Sequence, residues 1–197
     1  MKRIRVRRHG KKHIYIHNDL SQGAYHFKQQ IERRIAENNL RGISYEYMAC
    51  LIMSAFAFEA KINFLGYKPV QNWNEREGFH KKINKVFAAL HMKPDWKVRP
   101  YSSIGIIKEF RDMLAHGKPD ESEYDEVAVV NQEDTDKDVI MYGTWTAFCS
   151  KEQVFNTYDD IQFIWAELCD KAGLTLFDTL THGSGGSTFI DEFKDEE

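Results

Sequence analysis

The sequence predicts a mainly α-helical protein: an antiparallel helical bundle carrying one or two small β-hairpin appendages. Three observations lead there. Several long stretches repeat apolar residues at three- and four-residue spacing. Most are bracketed by residues that start or stop helices. Alternating or β-branched runs are confined to the N-terminal arm and a segment after residue 120. The chain then divides into a basic arm (residues 1–19), a helical domain (20–182) with a hairpin insertion at about 124–149, and a flexible acidic tail (183–197).

In chain order, KRIRVRR alternates charge with Ile4 and Val6, HGKK offers a turn, and HIYIH alternates again, predicting a short basic hairpin. His9, His13 and His17 recur every four residues, but a turn at Gly10 separates them, so they read as solvated histidines rather than metal ligands. The cations of the arm suit RNA phosphates or a solubilising edge. Ala24–Leu40 reads as a polar helix with Phe27, Ile31 and Ile35 on its apolar side. Ser44 to about Leu65 is the most apolar helix and should be central, with Met48, Ile52, Ala55, Phe56 and Ile62 as its stripe. Asn74 can cap a helix over Glu75–His91, whose cations His80, Lys81, Lys82 and Lys85 read as a solvated face. Tyr101–Asp120 carries Ile104, Ile107, Phe110 and Leu114 at helical spacing, opens on Ser102 or Ser103 as cap, and stops at Gly117 and Pro119. Tyr124–Asn131 and Val139–Cys149 read as a hairpin. Ser150 and Gln153 have the spacing that opens a last long helix, with Val154, Tyr158, Ile161, Trp165, Leu168 and Ala172 as its stripe and a bend at Gly173.

Composition narrows the class. At 197 residues, with 42% hydrophobic and 13% aromatic residues, the chain can bury a real core. The formal net charge of −3 hides an asymmetry: Met1–Lys12 holds seven cations and no acid, whereas Asp120–Asp138 holds nine acids against Lys137. Cys50, Cys149 and Cys169 are odd in number and widely spaced, which favours reduced thiols and a cytoplasmic setting. The arm has no apolar core of signal-peptide length, and the run Met48–Phe58 is too short to span a bilayer, so no membrane is expected. No phosphate loop, nucleophile elbow, metalloprotease motif or calcium-loop spacing occurs, so neither a metal nor a cofactor is expected.

Two helices each carry one charge amid their apolar face. Arg111 lies about 40° from Ile107 on a helical wheel, and Glu59 sits in the stripe of the central helix. A guanidinium cannot shed its charge, so it needs a partner or a cleft. Opposite charges in two apolar stripes predict a contacting pair, either an ordinary buried ion pair or a device that holds Arg111 in one orientation. His116 follows at the helix end, where the helix dipole also favours an imidazolium. Asp112, four residues before His116, could orient its ring.

Arg111, four intervening residues and His116 at the end of an apolar helix resemble the signature of the HEPN superfamily (higher eukaryote and prokaryote nucleotide-binding domains). The fuller match is FRDMLAHGKP. The resemblance covers Ser44–Pro119 as a helical arrangement, and its specific part is Arg111–His116. It implies a metal-independent endoribonuclease, such as a toxin or phage-defence effector, that dimerises so that two such helices line one cleft. It implies Arg111 and His116 as catalytic residues; the helical wheels and spacing above add Glu59 and Asp112 in support of them. The partners expected are RNA or a nucleotide, a second copy of the chain, and an antitoxin or other protein. Members that lack catalysis imply an alternative, a nucleotide- or protein-binding module. An imidazole suits proton transfer during attack by a 2′-hydroxyl, and a planar cation suits the charge that builds on phosphorus. Five helical steps leave His116 about 140° from Arg111, so the two converge only through a loosened last turn or a second copy. In the preceding connector, Lys93, Trp96, Lys97 and Arg99 interleave cations with an aromatic that either stacks on unpaired bases or, the plainer reading, anchors the loop by apolar packing, and Lys118 continues the cationic set.

Overall fold

The computed structural model describes residues 3–117, alternate residues from 119 to 129, and residues 143–192. The described elements run β1 (Ile4–His13), α1 (Ile16–Ala36), α2 (Ile43–Gly66), α3 (Phe79–Ala89), α4 (Ser102–His116), a 3-10 turn (Thr144–Phe148), α5 (Lys151–Lys171), α6 (Leu176–Thr179) and β2 (His182–Glu192). The protein is mainly α-helical with one small antiparallel sheet, the class its sequence predicts.

The bundle is built around α2, which contacts α1, α3, α4 and α5. By length and composition α2 is the one described helix apolar enough to cross a membrane, and half of that apolar window is buried inside the protein. Its apolarity thus has an internal use: Leu51, Ala55, Phe58, Ile62 and Leu65 are all sealed. Each large side chain removed from water there contributes about 1.5–3 kcal/mol. Cys50 is buried, Cys149 and Cys169 are half-buried, and all three are free thiols. In α5, the Ser150 hydroxyl accepts a hydrogen bond from the Gln153 amide at 3.1 Å, so the predicted cap forms. Gly173 ends that helix with φ +65°, a conformation that costs glycine little.

α3 opens at Phe79 after Gly78, not at Glu75 after an Asn74 cap; the Asn74 side chain instead accepts from the Arg76 amide in the preceding turn. Four further expectations are corrected. The basic arm is not a local hairpin. HGKK continues the strand, and β1 pairs instead with β2 over its whole length, with Gly10 opposite Gly185. The Gly/Ser run read as flexible tail is therefore a strand over 183–192; residues 193–197 lie outside the described residues. Close approach is the reason glycine suits this strand: a Cβ on Gly185 would lie 2.6 Å from the His9 carbonyl oxygen. Second, α1 begins at Ile16, eight residues before the predicted start, because the HIYIHND stretch packs at the foot of the sheet rather than extending from it. Third, neither Ser102 nor Ser103 caps α4; the Ser103 hydroxyl is buried and donates to Asp160 at 2.6 Å. Fourth, Thr144–Phe148 is a 3-10 turn rather than strand, with Phe148 packed on Phe110. The rest of the predicted hairpin, over 124–142, lies almost wholly outside the described residues.

The foot of the β1–β2 ribbon is fastened to the bundle by polar contacts. At the ribbon's own base the paired His13 and His182 rings stack at 4.7 Å. The Tyr15 amide donates to the Thr181 hydroxyl at 3.0 Å, and the Asn18 side chain to the Thr179 carbonyl at 3.0 Å. His17 is only 3% exposed and lies among Tyr15, Phe64 and Trp165. Its Nε2 donates to the same carbonyl at 3.1 Å, which fixes the proton on that nitrogen. Burial pushes its pKa down to about 4, outweighing the Thr179 carbonyl, with Lys61 adding repulsion.

Candidate functional site

Arg111 projects from the third turn of α4 toward α2, where Glu59 is waiting. The pair expected from the two helical wheels forms: Arg111 Nη1 donates to Glu59 Oε2. On its other edge the guanidinium is held by its neighbour, with Nε and Nη2 donating to Asp112 Oδ1 at 3.0 and 2.7 Å. The Phe79 ring lies beneath it, 5.0 Å from the guanidinium carbon, an arrangement worth about 0.5–2 kcal/mol. A guanidinium has five N–H donors. One each at Nε, Nη1 and Nη2 is engaged, so 5 − 3 = 2 remain, and the side chain keeps 18% of its surface exposed.

Two lysines complete the network. Lys82 Nζ donates to Glu59 Oε1 at 2.5 Å and to the Glu75 carbonyl at 3.0 Å. Its side chain is 2% exposed, so the reading of Lys82 as part of a solvated face is overturned. The signal was present in the sequence: Lys82 falls three residues after Phe79 and four before Val86, on the buried side of α3. Lys108 Nζ donates to Asp112 Oδ2 at 2.7 Å, and the Lys108 and Arg111 bonds together hold the Asp112 carboxyl below the usual carboxylate range. Glu59 thus bridges Lys82 and Arg111, and Asp112 bridges Arg111 and Lys108. A depression of about 520 Å³ opens beside α4, lined by His80, Gly105, Lys108, Glu109, Asp112 and Met113. It reaches the network at Asp112 and Lys108; Arg111 does not line it.

His116 is the last residue of α4 and is exposed. Its ring has no hydrogen bond or ion pair among the described residues. Asp112 is turned to Lys108 and Arg111, so it does not orient that ring within one chain. Gly117 follows with φ +42°, its amide donating to the Met113 carbonyl at 3.2 Å, so the helix stops where the sequence predicts.

The connector set divides. Lys93 and Lys97 are exposed. Trp96 packs against Phe87 at 5.2 Å and Tyr101 at 6.3 Å, so much of it anchors the connector to the core. Arg99 is not a loose cation: Nε and Nη2 donate to Asp160 at 2.8 and 3.0 Å, beside the buried Ser103 hydroxyl. Asp160 is the residue that sequence reading missed. It falls three residues after Thr157 and one before Ile161, on the buried face of α5, where a carboxylate needs partners. Lys118 lies outside the described residues. Among the described residues no group of three or more potential metal ligands occurs, and His9, His13 and His17 do not converge.

In comparisons with family models, curated proteins and solved structures, the chain matches none of them.

Proposed function

We propose that the chain is a metal-independent endoribonuclease in which Arg111 and His116 act at a cleft between two copies. The observation that carries this reading is the mounting of Arg111. It sits at the edge of an apolar seam, is fixed from two sides by Glu59 and Asp112 and from below by Phe79, and keeps two N–H donors. A buried ion pair seldom adds stability relative to apolar residues, so orientation is the better use of Glu59 and Lys82. A pre-aimed planar cation suits a phosphate whose charge grows in the transition state.

The chemistry runs through the RNA's own 2′-hydroxyl. Its oxygen bonds to the adjacent phosphorus as the bond to the 5′-oxygen of the next nucleotide breaks. One His116 takes the 2′-hydroxyl proton, His116 of the other copy delivers a proton to the departing 5′-oxygen, and Arg111 meets the non-bridging oxygens. The products are a 2′,3′-cyclic phosphate and a 5′-hydroxyl. A second copy is part of the proposal because five helical steps turn His116 about 140° from Arg111.

A second reading is favoured by a specific observation. In one chain Asp112 faces away from His116, and Arg111 is already engaged by two carboxylates, as a non-catalytic nucleotide- or protein-binding module would tolerate. Incubating the purified chain with mixed RNA and analysing product ends separates the two. Cyclic phosphate ends that vanish in Arg111→Ala and in His116→Ala, with both variants folded, support the nuclease. Inert wild-type protein of known dimeric state that binds a nucleotide supports the module.

A further inference from the structure

The β1–β2 ribbon stands apart from the Arg111 network and has no use in the chemistry above. Over residues 7–12 it carries Arg7, Arg8, Lys11 and Lys12, all exposed. The facing residues are glycine, serine and threonine, with no acid among them. None of the four cations makes an ion pair or side-chain hydrogen bond among the described residues; Arg5, nearer the tip, pairs with Asp191. Strand alternation puts Arg7 and Lys11 on one face and Arg8 and Lys12 on the other. The small partners leave the cations uncovered, and a shallow open depression of about 570 Å³ lies on the ribbon surface, lined by Arg8–Lys12 and Gly183–Ser187. Both faces lie in water, and a two-stranded sheet in that state is marginal by itself. Cations repeated along an extended backbone suit a ligand with regularly repeated negative charge.

The geometry points to the ribbon as an RNA-binding arm: Arg7 and Lys11 on one face and Arg8 and Lys12 on the other hold phosphates of the RNA that the Arg111 site cleaves. The choice of RNA rests on the nuclease reading; the polyanion chemistry rests on the ribbon. An anionic membrane fits less well. The exposed apolar residues of the ribbon, Ile4, Phe189 and Ile190, lie at the tip with Asp191 and Glu192, whose charge opposes anionic lipid.

The test measures binding apart from cleavage. A fluorescein-labelled single-stranded RNA is titrated by anisotropy with His116→Ala, with and without the four changes Arg7→Gln, Arg8→Gln, Lys11→Gln and Lys12→Gln. Each phosphate contact contributes about 0.7 to the slope of log affinity against log salt, so losing four flattens it by about 3 and weakens binding on the order of 100-fold or more at about 0.1 M salt. Removing Lys151 and Lys171 charges from α5 leaves the slope unchanged, and unaltered far-ultraviolet circular dichroism shows the ribbon variant is folded. Equal binding and equal slope in the ribbon variant overturn the proposal. So does ribbon-dependent binding to anionic vesicles with none to RNA. Ribbon-dependent RNA binding without cleavage by the wild type removes the nuclease reading and leaves the arm standing.

Discussion

Acidification should loosen the protein at the foot of its ribbon, through one residue. His17 is buried as the neutral ring, with a pKa near 4 against an ordinary value of 6.5. Because the folded value is the lower one, the unfolded chain binds the extra proton. The stability is complete above about 6.5 and is lost as pH falls toward 4. Each unit in that window is worth about 1.4 kcal/mol, so moving from about pH 7 to about pH 5 removes about 2 kcal/mol. Other shifted groups contribute little in this range; the carboxyls of Glu75 and Glu77, lowered by hydrogen bonds, respond mainly below it. Lys61, lowered to about 8 by burial, is charged in both states there. The carboxyls of Asp112, Asp178 and Asp191 are held below their usual range and respond only at lower pH. Urea unfolding at the two pH values, for wild type and His17→Gln, isolates the effect. The wild type should lose about 2 kcal/mol and the variant, which keeps a donor for the Thr179 carbonyl, well under half of that. An equal loss in both proteins would refute the assignment to His17.

Other outcomes follow from the same contacts. Glu59→Ala leaves the Lys82 ammonium sealed with one carbonyl partner and should cost about 3 kcal/mol in urea unfolding; Glu59→Leu with Lys82→Met should recover most of it, and a loss below about 1 kcal/mol in the single variant contradicts the burial of Lys82. Asp160→Asn weakens the charge-assisted bonds from Arg99 and Ser103 and should cost about 1–3 kcal/mol by the same measurement. Gly185→Val forces β2 away from the His9 carbonyl; amide protection in β1 should collapse while global stability moves by less than about 1 kcal/mol, since the ribbon opens locally. If α4 unfolds earlier in that variant, the ribbon is more than an appendage.

The helices were legible because their burial leaves a local trace. The periodic stripes of α3, α4 and α5 mark the faces that pack; in α2, apolar nearly all round, the expected stripe misplaced Phe56, which is exposed, and missed Leu51 and Phe58, which are buried. Charges that interrupt a stripe, Glu59 and Arg111, announced their contact on two helical wheels. The same logic applied to Lys82 and Asp160 but was obscured by neighbouring lysines and by the adjacent Asp159, which is exposed. Ends were less legible: α1 began early because its first turn is set by tertiary contacts at Thr179 and Thr181, not by a cap of its own.

The sequence by itself determined a helical bundle organised on one apolar helix, the stop of α4 at Gly117, the cap at Ser150 and the Glu59–Arg111 pair. Each of these is written in spacing along a single segment or on two helical wheels. Only the tertiary structure decided that the two ends of the chain form one sheet, that Lys82 closes the ion network from below, and that Asp112 serves Arg111 and not His116. Strand pairing joins residues about 180 positions apart, and nothing local distinguishes a glycine that turns from one that admits a second backbone. A shared carboxylate likewise chooses its partner by distance, which exists only once the helices have packed.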